Sequence, residues 1–233
     1  MKVFLKKSEQ SKLLAFVQLV LIYGLVFNPW TTFPYTFIFI IICVLLVTYW
    51  NDKAFHNIGL KTNRGILKTI GMSLLIFVSI APIMDFIIQP LVNKLTGEIT
   101  DYSAFQSIAH NASKYTKYLF YVIISASIGE EILFRGFVFR QLEIGLPDFK
   151  YKTVVIVLMS ALLFSLPHIY QGLSGLIMTF IFGLIFAIIY IKTNFNLWVT
   201  MIVHGLIDIM FLTLAYFDGL GYYVLGNDLF FGY

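Results

Sequence analysis

Seven apolar stretches, each close to the length that crosses a bilayer, take up most of this 233-residue chain. Hydrocarbon offers a backbone no hydrogen-bonding partner, so a stretch of roughly 20 such residues must close its own bonds as a helix. Hydrophobic residues make up 59% of the chain and charged residues only 12%, against about 25% charged in a soluble domain. The chain therefore reads as an all-α, polytopic membrane helix bundle, one integral domain over residues 1–233. Its net charge of +4 needs no nucleic-acid partner. Lys2, Lys6, Lys7 and Lys12 precede the first stretch and suit anchoring at an anionic inner leaflet. Asn28-Pro29-Trp30 stands where a signal peptide would have its small-residue cleavage site, so the first stretch reads as an uncleaved helix. Cys43, the one cysteine, rules out an internal disulfide and a cysteine-based metal site, and reads as a small buried apolar residue.

The expected spans are Leu13–Phe27, Pro34–Trp50, Ile66–Ile88 closed by Pro90, Tyr118 into the Arg140 region, Thr153–Leu166 stopped by Pro167, Leu173–Ile191 and Leu197–Phe217. Between the second and third, residues 51–68 mix Asp52, Lys53, Lys61, Arg64 and Lys68 with Phe55, Ile58 and Leu60, the pattern of a short interfacial piece. Residues 93–117 form a polar connection with room for an eighth, re-entrant or broken segment. The tail is aromatic, glycine-containing and mildly acidic. Basic residues collect on cytoplasmic loops. With the N-terminus cytoplasmic, loops 51–68 and 140–152 and Lys192 all fall inside. The 28–33 and 169–172 turns and the tail then fall outside.

Against this background a few polar residues stand out. Glu130 and Glu131 adjoin each other within the fourth span, with Arg135 four residues further on; His168, and the pair His204 and Asp208, interrupt later spans. A charge at membrane depth costs several kcal/mol, so such residues mark function or an obligatory pair. At 1.5 Å per residue, Glu130 lies about 15 Å from Arg140 and His204 about 15 Å from Asn194, both near the midplane. His168, about 24 Å from Lys152 by the same count, comes out too shallow unless its span is tilted or Pro167 bends it back into the bundle.

Residues four apart share a helical face, while neighbours point about 100° apart. Glu131 and Arg135 are thus placed to neutralise each other, leaving Glu130 over as a carboxylate able to take and return protons. His204 and Asp208 likewise share a face, where an aspartate can orient an imidazole. Glu130 and His168 could polarise one water, with His204 and Asp208 binding its target, an oxyanion or a metal. Gly129 and Gly136 let a helix or a substrate approach. A lone buried histidine usually just satisfies a hydrogen bond. Two of them with a spare glutamate, on three spans, point to a reaction centre. Asp85, Glu98 and Asp101 fall near the outer surface, His56 and His110 in solvated connections, and Gly183 with Ala187 on a helix-packing stripe.

The pattern Glu130-Glu131-x-x-x-Arg135, Phe164-x-x-x-His168, His204-x-x-x-Asp208 resembles the type II CAAX prenyl protease and bacteriocin-processing family of intramembrane proteases, also called CPBP or Abi. The resemblance covers Tyr118 to Phe217, which makes this the expected catalytic core. It implies peptide-bond hydrolysis in a membrane cavity, with Glu130 and His168 activating water, His204 and Asp208 holding the oxyanion or activating shell, and Glu131 and Arg135 preserving the geometry. Asparagine often stands where Asp208 does, and an aspartate donates to an oxyanion only when protonated. The family has been described both as zinc-dependent and as glutamate-dependent. No H-E-x-x-H motif is present, so zinc would need Glu130, His168 and His204 assembled across helices. The metal-free reading, with no cofactor, is preferred.

The expected partners are the bilayer and a membrane-associated peptide or protein. The Ile-, Phe-, Lys- and Asn-rich composition fits a bacterial plasma-membrane protein, where such proteins are linked to bacteriocin processing or immunity. The alternative is a non-proteolytic immunity or peptide-binding protein of the same fold. A proton-coupled transporter is disfavoured because no inverted repeat is visible.

Overall fold

The computed structural model describes residues 10–61, 65–98 and 102–231, and every regular element among them is helical. Eight helices follow in order. They are α1 (Lys12–Gly24), α2 (Tyr35–Asp52), α3 (Ile66–Thr96), α4 (residues 112–145), α5 (Lys152–Ser165), α6 (Gly172–Lys192), α7 (Leu197–Tyr216) and α8 (Leu225–Phe231). Among the described residues, α2, α3, α7 and the run Lys152–Lys192 are long and apolar enough to cross a membrane, and Lys12–Phe27 is a shorter apolar helix. The run Lys152–Lys192 is broken by a 3-10 turn at Leu166–Gln171, where α6 folds back along α5. Gly183 makes that packing tight, since a Cβ there would stand 2.9 Å from Ala161 Cα. The packing role expected for Gly183 holds. Lys2, Lys6, Lys7, Arg64 and Asp101 lie outside the described residues.

Helix α4 runs through the middle of the bundle. Every residue from 129 to 142 is buried, so its glutamates and arginines meet protein on all sides. The other helices turn leucine, isoleucine and valine outwards, as at Val20, Leu67 and Leu75, the pattern of a lipid-facing belt. Gly129 and Gly136 do what their size suggests. A Cβ on Gly129 would come within 3.0 Å of Phe37 in α2, and one on Gly136 within 3.1 Å of the Ile58 carbonyl oxygen.

Two expectations are corrected. Pro90 does not close the third span. A π-helical turn at Met84–Ile88, with Gln89 N–H donating to Met84 O, carries the helix past the proline to Thr96. Such a turn re-routes the bonding that a missing N–H would break. The piece after α2 does not simply lie on the interface. Its 3-10 turn Phe55–Ile58 buries Asn57 and Ile58 against α4, in the groove that Gly136 leaves open. The tail is helical, and α8 packs on the α3 bend, with Gly226 against Pro90 and Phe86.

The two ends of the bundle are tied by different polar contacts. At one end Arg140 forks onto Asp52 (3.0 and 3.3 Å), Gln10 reaches Gln141 (3.1 Å), Asn51 reaches Gln18 (2.7 Å), and Leu197 N–H donates to Gly59 O (3.0 Å). At the other, Ser174 N–H donates to Glu98 (2.8 Å) and His110 N–H to Tyr216 O (2.9 Å). His56 and His110 are exposed, as expected, and Cys43 is half-buried.

Candidate active site

Helix α4 presents its two glutamates from a widened stretch. Val122–Glu130 and Ile132–Val138 are π-helical, closed by i→i+5 bonds. More residues per turn mean a smaller angular step between neighbours. Glu130 and Glu131 both bring a carboxylate oxygen to His204 of α7, at 4.0 and 3.0 Å. The α4–α7 crossing is close because Gly205 has no side chain; a Cβ there would stand 2.8 Å from Ser127 Oγ. Ser127 Oγ also donates to Met201 O at 2.6 Å.

Glu131 is the hub. Its Oε1 accepts from Arg135 Nη1 at 2.9 Å and from His204 Nδ1 at 3.0 Å. A carboxylate only accepts, so Nδ1 carries the hydrogen and the imidazole is fixed in orientation. Glu131 and Arg135 have no exposed side-chain surface. Arg135 is further held by Gly183 O (3.2 Å) and by two aromatic faces, Phe164 and Phe186, at 4.3 and 5.1 Å from its guanidinium carbon. His204 lies parallel to Phe186 at 4.8 Å. The pairing expected of Glu131 and Arg135 is present, and Glu131 in addition reaches across to α7.

The far side of His204 is where reacting atoms could sit. Its Nε2 stands 3.7 Å from Asp208 Oδ2 and 4.0 Å from Glu130 Oε2, too far for a hydrogen bond to either. Asp208 Oδ2 and Glu131 Oε2 are buried without a hydrogen-bond partner in the protein. Unsatisfied carboxylate oxygens at such depth are costly structurally and fit a site that handles water and a substrate.

His168 sits in the Leu166–Gln171 turn, its Nδ1 donating to Phe164 O at 3.0 Å. The break at Pro167 leaves it half-buried beside Phe164. Phe164 contacts both imidazoles, at 5.5 Å from His168 and 6.1 Å from His204. No hydrogen bond or ion pair joins His168 to Glu130. Among the described residues no group of three His, Cys, Asp or Glu side chains is placed to hold a metal ion. Phe186 was not singled out from the sequence, because an aromatic residue in an apolar span carries no signal of its own. The bond between Glu131 and His204 was missed because it joins residues 73 apart in sequence.

Residues 112–210 match the Rce1-like family, described as type II CAAX prenyl endopeptidase Rce1-like. That stretch starts at α4 and ends just beyond Asp208, so it contains the whole polar cluster. The match supports a membrane-embedded protease of the CAAX type and adds nothing on a bacterial origin or on bacteriocins. No curated protein and no solved structure matches the chain.

Proposed function

We propose that this protein is an intramembrane endopeptidase that hydrolyses a peptide bond of a membrane-associated peptide or protein. One observation carries the reading: Glu130, a buried carboxylate with no cation of its own, faces the Nε2 side of an imidazole whose other nitrogen is locked by Glu131. In the proposed reaction a water's oxygen bonds to the scissile carbonyl carbon as its proton passes to Glu130. His168 helps polarise that water. The carbonyl oxygen gathers negative charge beside His204 and Asp208, with Asp208 donating in its protonated form. Glu130 returns the proton to the leaving amine as the C–N bond breaks. Glu131 and Arg135 hold His204 in register and are not consumed.

The proposed setting is a multi-pass protein of the cell membrane with seven crossings and a cytoplasmic N-terminus. Support comes from the end where Arg140 meets Asp52, Gln10 meets Gln141 and Lys152 meets Glu143 O, all in segments that the distribution of basic residues puts inside. No step is routed through a metal, because a carboxylate and an imidazole already face each other and can move the proton themselves. The CAAX description belongs to the matched family, and we extend from it only the class of substrate, a peptide presented at the membrane.

The test is cleavage of a panel of membrane-associated peptides by protein in nanodiscs. Wild type is compared with Glu130→Gln and His168→Ala, with and without chelator. Activity cut to a small, measurable residue in both variants and untouched by chelator is expected. Loss to chelator with recovery on adding zinc would move the imidazoles into a metal shell. Peptide binding by folded wild type without cleavage would favour the peptide-binding alternative.

A further inference from the structure

The turn that carries His168 is short, and its geometry depends on what holds its two ends. The upstream end is fixed by Pro167 and by the His168 bond to Phe164 O. Downstream the chain enters α6 through Gly172, whose φ of 78° only glycine adopts without strain. The first N–H groups of a helix lack intrahelical partners. One of them in α6, on Ser174, donates to Glu98 Oε2 at 2.8 Å. The same carboxylate lies directly over Gly172, where a Cβ would come within 2.8 Å of Oε2. Negative charge at this end of a 21-residue helix also suits its dipole.

Glu98 is itself held in place. It follows Gly97, which ends α3 at a φ of 70°. One turn earlier, Asn93 Oδ1 accepts from Ser174 Oγ at 2.7 Å and from Gln89 Nε2 at 2.8 Å. Asn93 and Ser174 are 4% and 2% exposed, so this brace is buried. The end of α3 therefore grips the start of α6 only six residues beyond His168.

We propose that Glu98 is a positioning residue for His168, setting the Leu166–Gln171 turn so that the imidazole faces the reaction centre. This rests on the role of His168 proposed above. Glu98 lies in the N-terminal half, outside the Rce1-like stretch 112–210, so the site as a working unit extends beyond that stretch.

The experiment uses the full chain in nanodiscs and carries two readouts. In the first, Glu98→Ala lowers kcat roughly tenfold with KM nearly unchanged, while Glu98→Gln, which keeps an acceptor for Ser174 N–H, recovers most of it. Placed on His168→Ala, the same Glu98→Ala change adds less than about a twofold further loss, since residues acting through one another are not additive. The second readout is the rate of diethyl pyrocarbonate labelling of His168 by peptide mass spectrometry, referenced to the exposed His56 and His110. Glu98→Ala changes that rate severalfold and Glu98→Gln leaves it near wild type. Unchanged kcat with unchanged labelling overturns the proposal, as does an equal kcat loss with and without His168. Should wild type cleave nothing, the protease reading fails, and labelling alone still decides whether Glu98 sets the turn. Should Glu98→Ala not fold, Gly172→Ala, which crowds the carboxylate, takes its place in both readouts.

Discussion

Arg135 and Arg140 stand five residues apart on one helix, both buried and both paired, yet they are held in unlike ways. Arg140 meets Asp52 of α2 through two bonds near the end of the bundle, and the pair keeps 4% and 7% of its side-chain surface exposed. Arg135 meets a residue of its own helix, is shut in completely, and is surrounded by a backbone carbonyl and two aromatic faces. The first pair joins two helices. The second lies within one helix and reaches α7 through His204 and α6 through Gly183 O. A buried ion pair near an end can thus serve assembly, whereas the one at depth is enclosed by a ring of partners around an imidazole.

That contrast can be broken at several points. The largest effect belongs to Glu131→Ala, which strands Arg135 and frees His204. Removing one member of a fully buried pair costs about 3–5 kcal/mol, so thermal unfolding in detergent should show a heavy loss and cleavage should vanish. Next comes Glu130→Gln, expected to cut turnover by about 10²–10⁴ while leaving the melting profile close to wild type. A comparable drop in melting temperature would show that Glu130 is structural. Asp52→Ala should cost about 1–3 kcal/mol by removing the two-bond fork to Arg140, with kcat per folded molecule retained. If turnover falls as far as in Glu130→Gln, the two pairs are not separable.

A sharper version replaces both members of the inner pair, as Glu131→Leu with Arg135→Met. Swapping a whole buried pair for apolar groups is often neutral or stabilising, so the double variant should melt above Glu131→Ala and still cleave nothing. The smallest effect is expected at Lys152, which bonds Glu143 O at 2.6 Å and reaches the exposed Asp148 at 3.2 Å. Asp148→Asn should leave melting and turnover indistinguishable from wild type.

Much of this was legible in the sequence because lipid imposes strong rules. Runs of apolar residues announced α2, α3, α5, α6 and α7, and Pro167 announced the turn before α6. Four-residue spacing announced the Glu131–Arg135 bond and put His204 and Asp208 on one face. Less visible were features set by packing between helices. Nothing in the spacing of Glu131 and His204 says that they touch, since the contact depends on Gly205 letting α7 approach Ser127. Ile58 looked interfacial until Gly136 was seen to make room for it. The π geometry of α4 was hidden for another reason: sixteen of its residues obey a period that a search tuned to 3.6 does not seek.

That unusual winding makes α4 sensitive to its own length in a way ordinary helices are not. A π segment holds one more residue than an α-helix closing the same number of turns, so losing a residue between Val122 and Val138 need not break the helix. It can tighten into ordinary winding over the same number of turns, so the helix on either side keeps its bearing while residues inside the stretch are re-aimed. Arg140 would stay on Asp52 while the glutamates turned away from His204. A protein shortened there would insert, stay folded over much of its length and lose the aim of its polar cluster. Length in this one helix therefore acts as a register mark between assembly and chemistry.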